Sequence, residues 1–264
     1  MTLEELIEKV VQSGKYADLH PDLIRRVCEE TVKKYGTKSN AVKEAKKELH
    51  IIYDSFLIAD GHKQAKKLLS SYNGTDILSD KEFASELMHL HVSTKERLEN
   101  AAEIYAYIGQ FIHQESSVCD VGCGFNPFAL PFLTERPARY KAYEIGKETV
   151  EVLNLYFSKT GKDCYAAALS DAVCETPADD FDVLLAFKLL PVLQQQKKGR
   201  AMEFLQETSF STAVISFPTR SLSGRNKGME SFYSTFFETA LPQNITICDK
   251  TVLYNELFYV LKKE

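Results

Sequence analysis

Three acidic residues, each at the end of a short apolar run, are the groups in this chain best spaced to do chemistry. The first, Asp120, ends the apolar stretch of SSVCDV and opens the loop D-x-G-x-G-x-N-P, in which Gly122 and Gly124 precede Asn126 and Pro127. Glycines let a backbone approach a ligand closely, and Pro127 suits the first turn of a helix whose free N–H groups would face that ligand. A strand, a glycine loop and a helix N-terminus make a cofactor cradle, although a buried strand followed by an ordinary turn reads the same way from this stretch alone. The second acid, Glu144, stands twenty positions beyond Gly124 at the end of ARYKAYEIG, where a carboxylate can accept both hydroxyls of a ribose. The third, Asp171, lies in DCYAAALSDAV, where an acidic side chain can take an adenine amino group. The loop lacks the G-x-G-x-x-G pattern of pyrophosphate binders, which favours S-adenosyl-L-methionine over NAD or FAD.

Alternating strands and helices must position these residues. FDVLLAF reads as a fully buried fourth strand, QQKKGRAMEFLQE as a helix, TAVISFP as a fifth strand and MESFYSTFFETAL as another helix. NITICDKTVLY and ELFYVLKK close the chain as an antiparallel hairpin. The expected fold class is α/β: over residues 91–264, the Rossmann-like seven-stranded sheet of class I SAM-dependent methyltransferases. Residues 1–90 read as an all-helical N-terminal module. Its first helix starts at a capping box of Thr2 and Glu5, its second runs from Pro21 to Gly36, and its third spans Ala41 to Ile58. Lys63 to Ser71 and Lys81 to Leu90 supply two more. A second capping box, Ser93 with Glu96, predicts a helix with Arg97 in its first turn. A cation is electrostatically misplaced there, so an anion must compensate it, either the carboxylate of a bound amino-acid moiety or a neighbouring glutamate.

The chain has 264 residues, 44% of them hydrophobic, enough to bury a proper core. It carries no apolar run long enough for a membrane span, and its start, MTLEELIEKV, is acidic and amphipathic. A soluble, cytoplasmic protein is expected. The six cysteines are scattered with no C-x-x-C pair, and His89 and His91 read as structural or as neighbours of the cofactor, so no metal is expected. The net charge of −5 argues against a polyanionic partner, but the charges are uneven. Lys33, Lys34, Lys38, Lys43, Lys46 and Lys47 face the single acid Glu44, with Arg25 and Arg26 upstream and Lys63, Lys66 and Lys67 downstream. This is either a solvated helix face or a surface that tracks phosphates.

Two loops at the presumed carboxyl edge bear on substrate. Phe187-Lys188-Leu189-Leu190-Pro191 lacks the Asn/Asp-Pro-Pro-aromatic motif that accepts hydrogen bonds from an exocyclic amine, whereas a ring nitrogen with a free lone pair needs no such acceptor. The segment from Phe217 to Glu230 contains Arg220, Arg225 and Lys227 with no acid before Glu230, and suits contact with phosphate or guanine.

The run His91 to Arg97, the loop Asp120 to Pro127, the segment Phe187 to Pro191 and the block Ser216 to Glu230 together resemble the aminoglycoside-resistance 16S rRNA methyltransferases of the Arm/Rmt group. The likeness runs from about Ser13 to the C-terminus. It implies methyl transfer from S-adenosyl-L-methionine to N7 of guanine-1405, on assembled 30S subunits docked by the helical module. It further implies that His91, Val92, Ser93 and Arg97 hold the methionine end of the cofactor, with Gly122 and Gly124 against it. Glu144 takes the ribose, where several relatives have Asp, and Asp171 with Ala172 takes the adenine. Gln195 or Gln196, expected at the start of the helix after strand four, and Phe56 are further cofactor contacts. Lys15, Arg25, Arg26, Lys46, Lys47, Lys63, Lys67, Arg220, Arg225 and Lys227 are the expected rRNA contacts. N7 carries a free lone pair, so no catalytic acid or base is expected, and the enzyme is expected to work as a monomer. The alternatives are N1 methylation of adenine-1408, a small-molecule methyltransferase with a helical lid, and a non-catalytic RNA-binding protein.

Overall fold

The computed structural model describes residues 1–12, 14–36, 40–219 and 229–264. The chain opens with α1 (Leu3–Val11), α2 (Pro21–Tyr35), α3 (Ala41–Ile52), α4 (Gly61–Ser71) and α5 (Lys81–Met88). Thr2 and Glu5 cap α1 reciprocally: the Glu5 N–H donates to Thr2 Oγ1 at 3.2 Å and the Thr2 N–H to Glu5 Oε2 at 2.9 Å. The third helix stops at Ile52 and gives way to a 3-10 turn over Asp54–Phe56. Beyond that turn, Leu57 pairs with His91 in an isolated antiparallel bridge, which draws the chain out of the helix expected to reach Ile58.

That bridge also resets the next element. It holds His91 extended (φ −138°, ψ 137°), so His91 is the N-cap and α6 (Val92–Arg97) begins at Val92; the expected capping box of Ser93 and Glu96 does not form. Arg97 therefore lies in the last turn, where the helix dipole favours a cation. After a 3-10 turn at Leu98–Asn100, α7 (Ala101–Gly109) leads into β1 (Ser117–Val121).

Next come β2 (Arg139–Glu144), α8 (Lys147–Phe157), β3 (Tyr165–Leu169), β4 (Phe181–Phe187), α9 (Leu189–Gln196), α10 (Arg200–Glu207) and β5 (Phe210–Pro218). The chain finishes with α11 (Met229–Ala240), β6 (Ile245–Leu253) and β7 (Glu256–Lys263). The segment opened by Pro127 is a 3-10 helix over Asn126–Phe132, because Pro131 has no N–H to return to the Pro127 carbonyl. The expected single helix over QQKKGRAMEFLQE is two helices. Lys197 turns extended, Gly199 adopts φ 88°, and its N–H is capped by Gln194 Oε1 at 2.9 Å.

The seven strands run in the order β3-β2-β1-β4-β5-β7-β6, with β1 to β5 parallel and β7 antiparallel to both its neighbours. The order reverses between β1 and β4, and a crevice for a ligand opens outside the carboxyl ends of strands at such a point. One face of the sheet packs Ala65, Leu69, Leu87, Ile104, Phe128 and Tyr156, contributed by α4, α5, α7, the 3-10 helix and α8. The other face packs Leu190, Phe204 and Phe237 from α9, α10 and α11. A third cluster, with Leu6, Leu23 and Leu49, joins α1 to α3. The described part of the first ninety residues holds helices and no named strand, but α4 and α5 share the core of the sheet and only α1 to α3 have a core of their own.

Candidate cofactor site

The loop after β1 is shaped by two glycines in the left-handed region, Gly122 at φ 61° and Gly124 at φ 51°. A Cβ on Gly122 would lie 2.8 Å from Leu189 Cδ1, and one on Gly124 would lie 2.8 Å from His91 Cε1, so both positions lack room for a side chain. Glu144 ties the loop to the end of β2: the Gly124 N–H donates to Oε2 at 2.8 Å and the Ile145 N–H to Oε1 at 2.7 Å. Burial pushes the Glu144 pKa upward, and the N–H groups of Gly124, Ile145 and Gly146 oppose that shift.

Of the three acidic residues, Glu144 and Asp171 line the cavity at the switch point and Asp120 does not. Asp120 sits behind the loop and accepts from Asn126 Nδ2 at 2.8 Å and the Tyr140 hydroxyl at 2.6 Å. Burial, the largest influence, pushes its pKa up to about 6 in spite of both hydrogen bonds. Its part is to anchor the glycine loop through Asn126. Asp171 is fully buried, and its Oδ1 accepts the Val173 N–H at 2.9 Å in a turn of its own backbone.

The cavity brings together most of the expected cofactor residues: Phe56, His91, Ser93, Gly122, Gly124, Glu144, Asp171, Ala172 and Gln196. Val92, Arg97 and Gln195 do not line it. Gln195 and Gln196 close α9 and do not open it, because that helix has already started at Leu189; Gln195 is exposed. His89 is exposed whereas His91 is buried, so the H-x-H spacing forms no pair. The His91 ring lies 5.4 Å from Phe125, its Nδ1 has no hydrogen-bond partner among the described residues, and burial pushes its pKa down to about 3. It is neutral near pH 7.

Arg97 is buried and faces Glu256. Its Nε donates to Oε1 at 2.8 Å and its Nη2 to Oε2 at 3.0 Å, while Nη1 reaches Asn126 Oδ1 at 3.3 Å. The compensating anion is thus a glutamate of the protein. Glu256 also accepts from the Ser216 hydroxyl at 2.8 Å and pairs with Lys188 at 3.2 Å; Lys188 reaches Glu96 at 2.6 Å. Although burial alone would raise it, the two cations hold the Glu256 pKa down to about 2. Lys188, at φ 56°, lines the cavity together with Phe187, Leu189 and Val192. Lys188 was read only as part of the substrate-side loop, and Glu256 went unread: it is 159 positions from Arg97, and no local pattern links them. Tyr53 and Thr149, joined at 3.0 Å, are further lining residues without a sequence signal.

The expected rRNA cations divide. Arg26 is not a surface cation: Nη2 donates to Asp171 Oδ2 at 2.6 Å and Nη1 to Gln196 Oε1 at 2.7 Å, turning the side chain inward. Arg25 pairs with Glu4 at 3.1 Å and Lys15 with Asp54 at 2.6 Å, both on the surface. Among the described residues, Lys43, Lys46, Lys47, Lys63 and Lys67 make no ion pair, and all but the half-buried Lys46 are exposed. Lys15 and Lys63 share a surface groove with His50 and Lys66. Arg220, Arg225 and Lys227 lie outside the described residues, as does Lys38.

A mixed seven-stranded sheet in this order, with a glycine loop and two buried carboxylates at its switch point, defines a class I methyltransferase fold. The sequence profile of the ribosomal RNA methyltransferase (FmrO) family matches residues 12–260, and the chain belongs to that family. It is 34% identical to a 16S rRNA (guanine(1405)-N(7))-methyltransferase of Serratia marcescens, over 100% of this chain and 99% of the relative. A Proteus mirabilis protein of the same name is 31% identical, over 99% of this chain and 97% of the relative. The 16S rRNA methyltransferase RmtF, solved in complex with S-adenosyl-L-homocysteine, superposes with a TM-score of 0.89 at 31% identity, covering 99% of this chain and 98% of RmtF.

Proposed function

We propose that this chain transfers the methyl group of S-adenosyl-L-methionine to N7 of guanine-1405 of 16S rRNA in the assembled 30S subunit. The modification would confer resistance to aminoglycosides of the gentamicin and kanamycin class. The observation that carries this reading is the joining of Glu144, Asp171 and the two left-handed glycines of the loop in one cavity, within a chain of this family along almost its whole length.

The residues present fit an adenosine cofactor. Glu144 faces the cavity with two acceptor oxygens for a ribose, Asp171, Ala172 and Gln196 lie where an adenine edge would end, and the neutral His91 offers an unpartnered Nδ1. Bound there, S-adenosyl-L-methionine supplies an electrophilic methyl group on its sulfonium. His91 and Ser93 hold the methionine end, and Arg97 acts on it indirectly by fixing Asn126 under the loop. Phe187, Leu189 and Val192 exclude water from the cavity. Guanine N7 presents an unprotonated lone pair, so the protein's part is alignment and no side chain has to move a proton.

The target base has to leave its stack to reach the cavity, at a cost of a few kcal/mol. Phosphate contacts from Lys46, Lys47, Lys63 and Lys67 offset that cost. The enzyme acts in the cytoplasm as a monomer, and none of its described helices is long and apolar enough to cross a membrane.

The test is methyl transfer from labelled cofactor to 30S subunits, with naked 16S rRNA and 50S subunits alongside, followed by borohydride and aniline cleavage. Cleavage at one guanine of the decoding region, on 30S only, is the expected result. Label without cleavage moves the target to a different atom such as adenine N1, and no label returns the protein to small-molecule methylation. In the same assay, Lys46→Glu or Lys67→Glu is expected to weaken 30S binding roughly tenfold at 0.1 M salt, with cofactor affinity unchanged. An equal loss of cofactor affinity would show that the lysine face and the cavity are one unit.

A further inference from the structure

We propose that Arg26 is a positioning residue of the cofactor site, through which α2 sets the adenine end of the cavity and couples it to the placement of the helical module. The inference rests on the reading of Asp171 and Gln196 as the adenine wall. Asp171 is fully buried, and a carboxylate taken out of water needs a counter-charge. Among the described residues Arg26 is its one ion-pair partner, at 2.6 Å. Oδ1 accepts the Val173 N–H, and Oδ2 accepts from Arg26 Nη2 at 2.6 Å and from the Cys174 thiol at 3.5 Å, so the short charged contact from Arg26 sets the orientation of the carboxylate that an adenine amino group would meet.

The same guanidinium holds Gln196 Oε1 at 2.7 Å. A single planar fork from α2 thereby fixes two groups that the chain supplies 25 positions apart, one after β3 and one at the end of α9. Arg25, the preceding residue, turns to Glu4 of α1, so the two adjacent arginines serve different surfaces. The remaining donor, Arg26 Nε, is buried without a partner among the described residues, an arrangement that persists only if the two other contacts outweigh it.

A second junction lies at the ribose end. The His20 N–H donates to the Ile145 carbonyl at 2.9 Å and the Lys147 N–H to the Asp18 carbonyl at 2.7 Å, on either side of Gly146 and directly after Glu144. The start of α2 is thus stitched to the loop behind the ribose acceptor, and Arg26, about 9 Å further along the same helix, reaches the adenine acceptor. A rigid helix that touches both ends of the adenosine site transmits any displacement to both. By linkage, a shift of α2 on docking changes cofactor affinity, and bound cofactor changes docking by the same factor.

The experiment titrates S-adenosyl-L-homocysteine calorimetrically into the full chain and its variants Arg26→Ala, Arg26→Gln, Arg26→Lys and Arg25→Ala. Affinity for 30S is measured without cofactor, and KM and kcat are measured on 30S. Arg26→Ala is expected to weaken S-adenosyl-L-homocysteine binding about tenfold and raise KM for the methyl donor in proportion, with kcat at saturation and 30S affinity within about twofold. Arg26→Lys, which keeps the charge but not the fork, recovers part of the loss, and Arg25→Ala leaves S-adenosyl-L-homocysteine affinity unchanged.

Unchanged S-adenosyl-L-homocysteine affinity in Arg26→Ala overturns the proposal, as does a loss confined to 30S binding, which would make Arg26 a phosphate contact. Should Arg26→Ala fail to fold, Arg26→Gln, which retains the packing of the stem, decides in the same way. Ligand titration needs no rRNA, so a wild-type chain that binds S-adenosyl-L-homocysteine but leaves 30S unmethylated would defeat the proposed function and leave this inference standing.

Discussion

Glu256→Gln is expected to lower the free energy of unfolding by about 3–5 kcal/mol, the usual cost of removing one partner from a buried ion pair. The glutamate is 2% exposed and compensates Arg97 through two hydrogen bonds and Lys188 through a third contact. Glutamine keeps the shape but turns a donor group toward the Arg97 guanidinium, leaving a buried cation without its anion. Lys188 retains Glu96, so the burden falls on Arg97. Because Arg97 also holds Asn126, and Asn126 the glycine loop, cofactor affinity falls with stability.

The pH dependence identifies the carboxylate. Its folded pKa, about 2, lies below the ordinary glutamate value of 4.5, so its contribution is fully present above about pH 4.5 and is lost as the pH falls through 2. Urea unfolding from pH 3 to pH 7 should show a gap between wild type and Glu256→Gln that is constant above pH 5 and narrows in acid. A gap below about 1 kcal/mol at pH 7 would mean that Arg97 is compensated without the Glu256 charge, since removing one partner of a buried pair otherwise costs several kcal/mol.

The strands were legible because a parallel sheet covered on both faces leaves near-continuous apolar runs. FDVLLAF coincides with β4, Phe181–Phe187, and the final hairpin turns at Tyr254 and Asn255 between two runs already visible. The glycine loop was legible for a different reason, since close backbone approach demands glycine, and Glu144 and Asp171 were named at strand ends that do line the cavity. What escaped notice depends on chain segments meeting in space. Ser93 and Glu96 have the spacing of a capping box, but the Leu57 to His91 bridge fixes the helix start two residues earlier. Arg26 reads as one more surface cation until α2 is laid against the end of β3, and the glutamate that faces Arg97 was only one of two anions the sequence left open.

Glu144→Ala should have the largest effect on ligand binding, because in the proposed function this residue serves the ligand as well as the loop. Without it, the Gly124 and Ile145 N–H groups lose their acceptors in a buried site, at about 1–3 kcal/mol for each unsatisfied group. The ribose loses a charged acceptor worth a similar amount. The first cost falls on the free and the bound protein alike and lowers stability, whereas the lost ribose contact predicts a drop in S-adenosyl-L-homocysteine affinity of roughly 10- to 100-fold, read by calorimetry. Glu144→Gln should fall almost as far, since one amide arm would point a donor at a backbone donor. Glu144→Asp keeps the charge one methylene short and should bind within about tenfold of wild type. The three variants separate the two duties. If Glu144→Ala bound within threefold of wild type, the ribose would have another acceptor, and Glu144 would be left holding the glycine loop alone. If Glu144→Asp lost as much as Glu144→Ala, the reach of the longer side chain would be what this cavity requires.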